Sequence, residues 1–80
     1  MKAFGYVLAD TEAEEPSKLR ETTLSVSLAD LDLVIAFLQY TRERFRNASE
    51  LTPGGSHCHL RDWWVDWKES EPDFIIVYDD

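Results

Sequence analysis

The sequence predicts a single small α+β domain, in which one long helix packs across a small, mainly antiparallel sheet of three to four strands. Three observations predict it. Eighty residues suffice for one domain. Apolar residues alternate with a period of two in short segments near the N-terminus, and they recur with a helical period over one long central segment. The predicted element order is β-β-α-(short β or α)-β, and residues 1–80 contain no internal repeat.

The N-terminal part predicts two strands joined by a long connection. The first strand is expected at Ala3–Ala9, where large and small side chains alternate. The second is expected at Thr22–Ser27, where Leu24 and Val26 alternate with polar residues, as in an antiparallel sheet with one buried face. Residues 10–21 are acidic, contain a proline and lack apolar periodicity, so they predict a mobile acidic loop.

A helix is predicted at about Leu28–Asn47. Ser27 and Asp30 have the spacing of a capping box, which favours a helix that begins at Leu28. Arginines near the predicted C-terminus suit the helix dipole. The apolar positions at helical spacing are Leu31, Val34, Ile35, Leu38 and Phe45.

The C-terminal part predicts a loop, a short extended piece, a turn and a last strand. Residues 49–56 hold a proline and two glycines, which indicates a loop. His57–Leu60 is expected to be extended, and a turn or short helix should follow as far as Trp67. Phe74–Tyr78 is a continuous apolar run between acids, so we expect a central strand buried on both faces.

The charge balance restricts the possible partners. Sixteen acidic residues face eight basic ones, so the formal net charge is -8. This charge repels nucleic acids and acidic membranes and attracts basic proteins or metal cations. The one cysteine, Cys58, excludes an internal disulfide. Because we identify no leader and no apolar run long enough to span a bilayer, we expect a cytoplasmic protein.

Two histidines form a candidate metal site. His57 and His59 should point the same way on a strand, and the carboxylate of Asp62 follows closely. The ligands would hold a divalent transition metal; otherwise the histidines are an ordinary hydrogen-bonded or surface pair. Cys58 between them is either a nucleophile or a small buried residue, but alternation would direct both imidazoles away from its thiol. No catalytic residue is selected, so we expect no enzymatic activity and no cofactor unless the histidines bind metal.

A tryptophan cluster is the candidate partner surface. Trp63, Trp64 and Trp67 lie among acids, and tryptophan is enriched at binding hot spots. At least one indole should close the core, and the others are free for a partner. Seven acids and one base lie between Asp62 and Asp80, which suits a basic partner. The expected contact residues are Trp63, Trp64, Asp62, Asp66 and Glu69.

From Leu28 to Val77 the order of features resembles that of a known class of proteins. A helix with the sequence LADLDLVIAFLQY precedes His57-x-His59-Leu60-x-Asp62-x-Trp64, and the apolar strand that follows Asp73 closes the pattern. This order resembles small acidic bacterial immunity proteins of polymorphic toxin systems. The resemblance implies a non-catalytic protein whose acidic face blocks a cognate toxin, often a basic nuclease.

The first functional hypothesis is therefore an acidic protein-binding module of the immunity or inhibitor type. The second is a small metal-binding protein that uses His57, His59 and Asp62. The third is a homo-oligomeric accessory protein, such as a homodimer, because a small domain gains stability when a Trp-rich face is buried against a second copy.

Overall fold

The described part of the chain folds into one long helix, one short helix and two small antiparallel sheets. The computed structural model describes residues 3–6 and 15–79. The elements are β1 (Ala3–Gly5), β2 (Ser17–Leu19), α1 (Leu28–Asn47), β3 (His57–His59), α2 (Leu60–Trp63) and β4 (Ile75–Val77). Strand β1 pairs with β2, and β3 pairs with β4. The predicted α+β class is confirmed, with its long helix and antiparallel pairing. None of the helices in the described ranges is long and apolar enough to cross a membrane.

Helix α1 begins and ends where the sequence predicts. The Ser27 hydroxyl accepts a hydrogen bond from the Asp30 N–H at 3.1 Å, and the Asp30 carboxylate accepts one from the Ser27 N–H at 3.4 Å. This reciprocal capping box satisfies two N–H groups that have no partner within the helix. Arg44 and Arg46 lie in the last turn, where positive charge is favourable.

The N-terminal sheet corrects one predicted strand. Strand β1 pairs with Ser17–Leu19, which lies within the predicted mobile loop, and residues 7–14 fall outside the described ranges. The predicted strand at Thr22–Ser27 is wrong, because these residues form no strand and their side chains are exposed. Alternation predicts only which side chains would share a face. A strand also needs a partner, and β1 is paired with β2 instead.

The C-terminal sheet has one face toward α1 and one face toward solvent. Cys58 lies opposite Ile76, and this inner pair packs in the core. The prediction that β4 is a central strand buried on both faces is wrong. Within the described residues β4 pairs only with β3, and Ile75 and Val77 are exposed. The segment has apolar side chains on both faces of the strand, but only the inner face is covered by the rest of the described domain.

The core is small and is centred on one phenylalanine. Phe37 of α1 has an exposed fraction of 0%. Its ring centroid lies 5.5 Å from that of Trp63 and 6.3 Å from that of Phe74. Cys58 and Leu60 complete the buried apolar cluster. Because so few apolar side chains are buried, many large ones remain at the surface, and the functional question is which of these have a partner.

Candidate functional site

The segment Leu60–Asp73, here called the Trp loop, is a compact loop with joined ends. The Leu60 N–H donates to the Phe74 carbonyl at 2.9 Å, and the Arg61 N–H donates to the Asp73 carboxylate at 3.0 Å. Farther along, the Trp67 indole N–H donates to the Pro72 carbonyl at 3.1 Å. Loops of this length with joined ends and internal packing frequently carry function.

The three tryptophans hold this loop against the domain. Trp63 packs against Phe37 and Tyr40, with ring centroids 5.5 and 5.9 Å away. Trp64 packs against the core cluster, and Trp67 is fixed by its indole hydrogen bond. All three side chains are half-buried. Trp63, predicted as a partner contact, therefore also contributes to the core, as the sequence predicts for at least one indole.

The most exposed apolar side chain of the loop is Val65, which the sequence analysis did not select. Its exposed fraction is 95%. Asp62 and Asp66 beside it are exposed, as is Glu69. In the sequence, Val65 stands alone between a tryptophan and an acid. A single valine has no periodicity, so the sequence could not predict that its side chain is exposed. The structure thus exposes one apolar side chain and three acids in the same loop.

The histidine pair lies on the solvent face of the C-terminal sheet, as alternation predicts. The ring centroids of His57 and His59 are 5.1 Å apart with an edge-on angle of 72°. The Nδ1 atom of His57 is 3.1 Å from the Gly55 carbonyl, and that of His59 is 2.7 Å from the Asp73 carboxylate. Both acceptors require a proton on Nδ1, so each neutral ring presents the lone pair of Nε2.

The carboxylate beside the histidines is Asp73 rather than the predicted Asp62. Partial burial raises the pKa of Asp73, but hydrogen bonds from the His59 ring and the Arg61 backbone N–H outweigh this, with the charges of protonated His59 and of the Arg61 guanidinium, and the pKa of Asp73 lies below its ordinary value of 3.8. The Asp62 carboxylate instead lies 3.7 Å from the Arg61 guanidinium. In residues 3–6 and 15–79, no three His, Cys, Asp or Glu side chains are placed to hold a metal ion.

Cys58 lies on the opposite face of β3 from the two histidines. Its thiol is buried in the core cluster beside Leu60. The arrangement agrees with the interpretation of Cys58 as a small buried residue, because an imidazole on the other side of a strand is badly placed to activate it.

Comparison with models of protein families, with curated proteins and with solved structures finds no match to this chain.

Proposed function

We propose that this chain is a non-catalytic acidic protein-binding module that docks on a basic protein through the Trp loop. The observation that carries the proposal is the exposure of Val65 in a hydrogen-bonded loop that also exposes several acids. An apolar anchor within a charged rim is the usual anatomy of a binding patch. The half-buried Trp64 beside Val65 supplies further apolar area, and a hydrogen-bonded loop loses little conformational entropy when it binds.

Charge supports the choice of a basic partner. The Trp loop holds five acids and two bases, and the whole chain has a formal net charge of -8. Such a field accelerates association with a positive surface and opposes association with nucleic acid. The acids that would contact the partner are Asp62, Asp66 and Glu69, which lie on the exposed side of the loop.

The resemblance to immunity proteins indicates which kind of protein the partner would be. A basic toxin nuclease is the proposed target, and the proposed action is inhibition by covering its positive surface. We place the protein in the bacterial cytoplasm, where a free buried thiol such as Cys58 is typical.

The test compares the protein with two triple variants as bait in a lysate of the source organism. The loop variant Asp62→Asn, Asp66→Asn, Glu69→Gln removes three charges from the Trp loop. The control Glu15→Gln, Glu21→Gln, Glu50→Gln removes three exposed charges elsewhere. We expect a basic protein on the unaltered bait and on the control, with recovery reduced at least about tenfold on the loop variant, a loss of roughly 1.4 kcal/mol.

Salt provides the second measurement for this proposal. The association rate of the captured protein should fall steeply as ionic strength rises, because steering between exposed charges is screened. Equal recovery on both triple variants, or an association rate that salt does not change, would contradict docking through the Trp loop.

Metal binding is a second candidate function, and one observation favours it. Both histidines of the pair have Nδ1 held by an oxygen acceptor, so in each neutral ring Nε2 carries the lone pair that a metal ion could use. Protein ligands of transition metals commonly have this support from a carbonyl or a carboxylate. Asp73 would position His59, and water or another group would complete the coordination.

Titration calorimetry with Ni²⁺ or Zn²⁺ tests the histidine pair. We expect one metal ion per chain, loss of binding in His57→Ala and His59→Ala, and an affinity about 10-fold to 100-fold lower in Asp73→Ala. Asp62→Asn is the control: unchanged affinity would assign the supporting carboxylate to Asp73, whereas a large loss would restore the predicted ligand Asp62. No heat of binding and no change in melting temperature with either metal would exclude this function.

A further inference from the structure

Helix α1 has a second apolar face that no described element covers. Four large side chains on this face are exposed, and Leu28 is exposed to 82%. They are separated by three, four and three residues, which is the spacing of the apolar seam of a coiled coil. We call this set the helix stripe: Leu28, Leu31, Ile35 and Leu38.

The helix stripe is distinct from the face that α1 buries in the core. At 100° per residue, Phe37 points roughly 140° away from the centre of the stripe. Phe37 is fully buried while the stripe is exposed. Four exposed side chains of this kind form a patch on the order of a few hundred Å², a size that is often functional on a small protein.

A shallow groove continues the stripe beyond Leu38. It has a volume of about 390 Å³ and runs between α1 and the C-terminal sheet, where Phe45 and Leu51 line it. Thr41 also lines it. This residue is 97% buried, and within the described residues its hydroxyl has no hydrogen-bond partner. Leu28 is thus strongly exposed at one end of the stripe, and the groove adjoins Leu38 at the other end.

The charges beside the stripe have opposite signs at its two ends. Asp32 lies near the N-terminal end, four residues from Leu28. Arg42 and Arg46 lie near the C-terminal end, at the rim of the groove. A parallel second copy would bring like charges together, whereas an antiparallel copy would bring Asp32 beside Arg42 of the partner subunit.

We propose that the helix stripe is the interface of an antiparallel homodimer. In this arrangement Ile35 lies opposite Leu38 of the partner subunit, and Leu28 lies opposite Phe45 of the partner subunit. The same register places the protruding leucine at the partner subunit's groove, and it does so twice because the interface is two-fold symmetric. Near-antiparallel helices pack in this way in helical bundles.

The net charge decides how this dimer responds to salt. Two copies with a formal charge of -8 each repel one another. Added salt screens that repulsion and leaves apolar burial intact, so the dimer should be equally or more stable at high salt. This response is opposite to that of docking on a basic protein through the Trp loop, so the two proposals can fail independently.

Sedimentation velocity of the full chain, from low to high micromolar concentration, tests the interface. We expect a concentration-dependent dimer, and a dissociation constant raised at least about tenfold in Leu28→Gln, Ile35→Gln. Glutamine keeps the helix propensity, and circular dichroism should confirm an unchanged helix content. Val65→Gln, which alters the exposed tip of the Trp loop, is the control and should dimerise like the unaltered chain.

A charge exchange tests the antiparallel arrangement. Asp32→Arg and Arg42→Asp should each weaken the dimer, and the double variant should recover it because the opposite signs again face one another. A monomeric mass at every concentration in low and high salt would overturn the proposal. Unchanged dimerisation of the glutamine variant would do the same. So would a double variant whose loss of dimer stability equals the sum of the losses in the two single variants.

Discussion

Replacement of Phe37 by alanine should remove a large part of the free energy of unfolding. Truncation of a buried phenylalanine costs about 3–5 kcal/mol, because transfer energy is lost and a cavity remains. A domain of 80 residues has a free energy of unfolding of about 4–12 kcal/mol, and this core is small. Phe37 also contacts Trp63 and Phe74, so its loss should loosen the packing between α1 and the Trp loop.

Urea unfolding followed by circular dichroism and tryptophan fluorescence measures this effect. Phe4→Ala is the matched control, because Phe4 is 54% exposed and its truncation leaves no comparable cavity. The control should change the unfolding free energy by less than about 1 kcal/mol. A Phe37→Ala variant that unfolds at the same urea concentration as the unaltered protein would show that the core lies elsewhere.

Replacement of Asp73 by alanine should have the second-largest effect on stability. The Asp73 carboxylate accepts hydrogen bonds from the His59 ring and the Arg61 N–H, and thereby ties the end of the Trp loop to its start. Its removal leaves both donors without this acceptor, which costs about 1–3 kcal/mol. Asp66→Ala removes an exposed carboxylate of the same loop and should be nearly neutral.

The contribution of Asp73 should depend on pH with a definite sign. Its pKa is lower in the folded protein than the ordinary 3.8, so the folded state favours the charged form. The stabilisation is complete above the unfolded pKa and is lost as pH falls through the lower, folded pKa. The unfolding free energies of the unaltered protein and Asp73→Ala should therefore differ most above about pH 4 and converge in more acidic solution. A difference that persists unchanged at acidic pH would show that the charge of Asp73 contributes nothing.

The fold could be predicted where short-range patterns suffice. Helix α1 was predicted at its observed bounds, because Ser27 and Asp30 form its cap locally and twenty residues of helical periodicity follow. An extended piece was predicted at His57–Leu60 and is observed at His57–His59, and the short helix α2 is one of the two alternatives predicted to follow it. Thr22–Ser27 has an equally regular pattern, yet it forms no strand. A strand depends on hydrogen bonds to a distant segment, and no pattern within six residues contains that segment.

The candidate site was predictable by residue type but not by geometry. The sequence indicates that tryptophans lie among acids, and alternation places His57 and His59 on one face. It could not indicate that Trp63 packs on Phe37, that Val65 is left at the surface, or that His59 bonds to Asp73. Asp73 is fourteen residues from His59 along the chain, and only the pairing of β3 with β4 brings the two together.

The sequence by itself therefore determined the acidic charge, the α+β class, the long capped helix and the absence of an internal disulfide. These follow from composition and from interactions within one or two helical turns. Tertiary structure alone decided which strands pair, which carboxylate reaches the histidines, and which apolar side chains stay uncovered. Each of these depends on contacts between segments far apart in the chain, and a small core can cover only one face of α1 and one face of the C-terminal sheet.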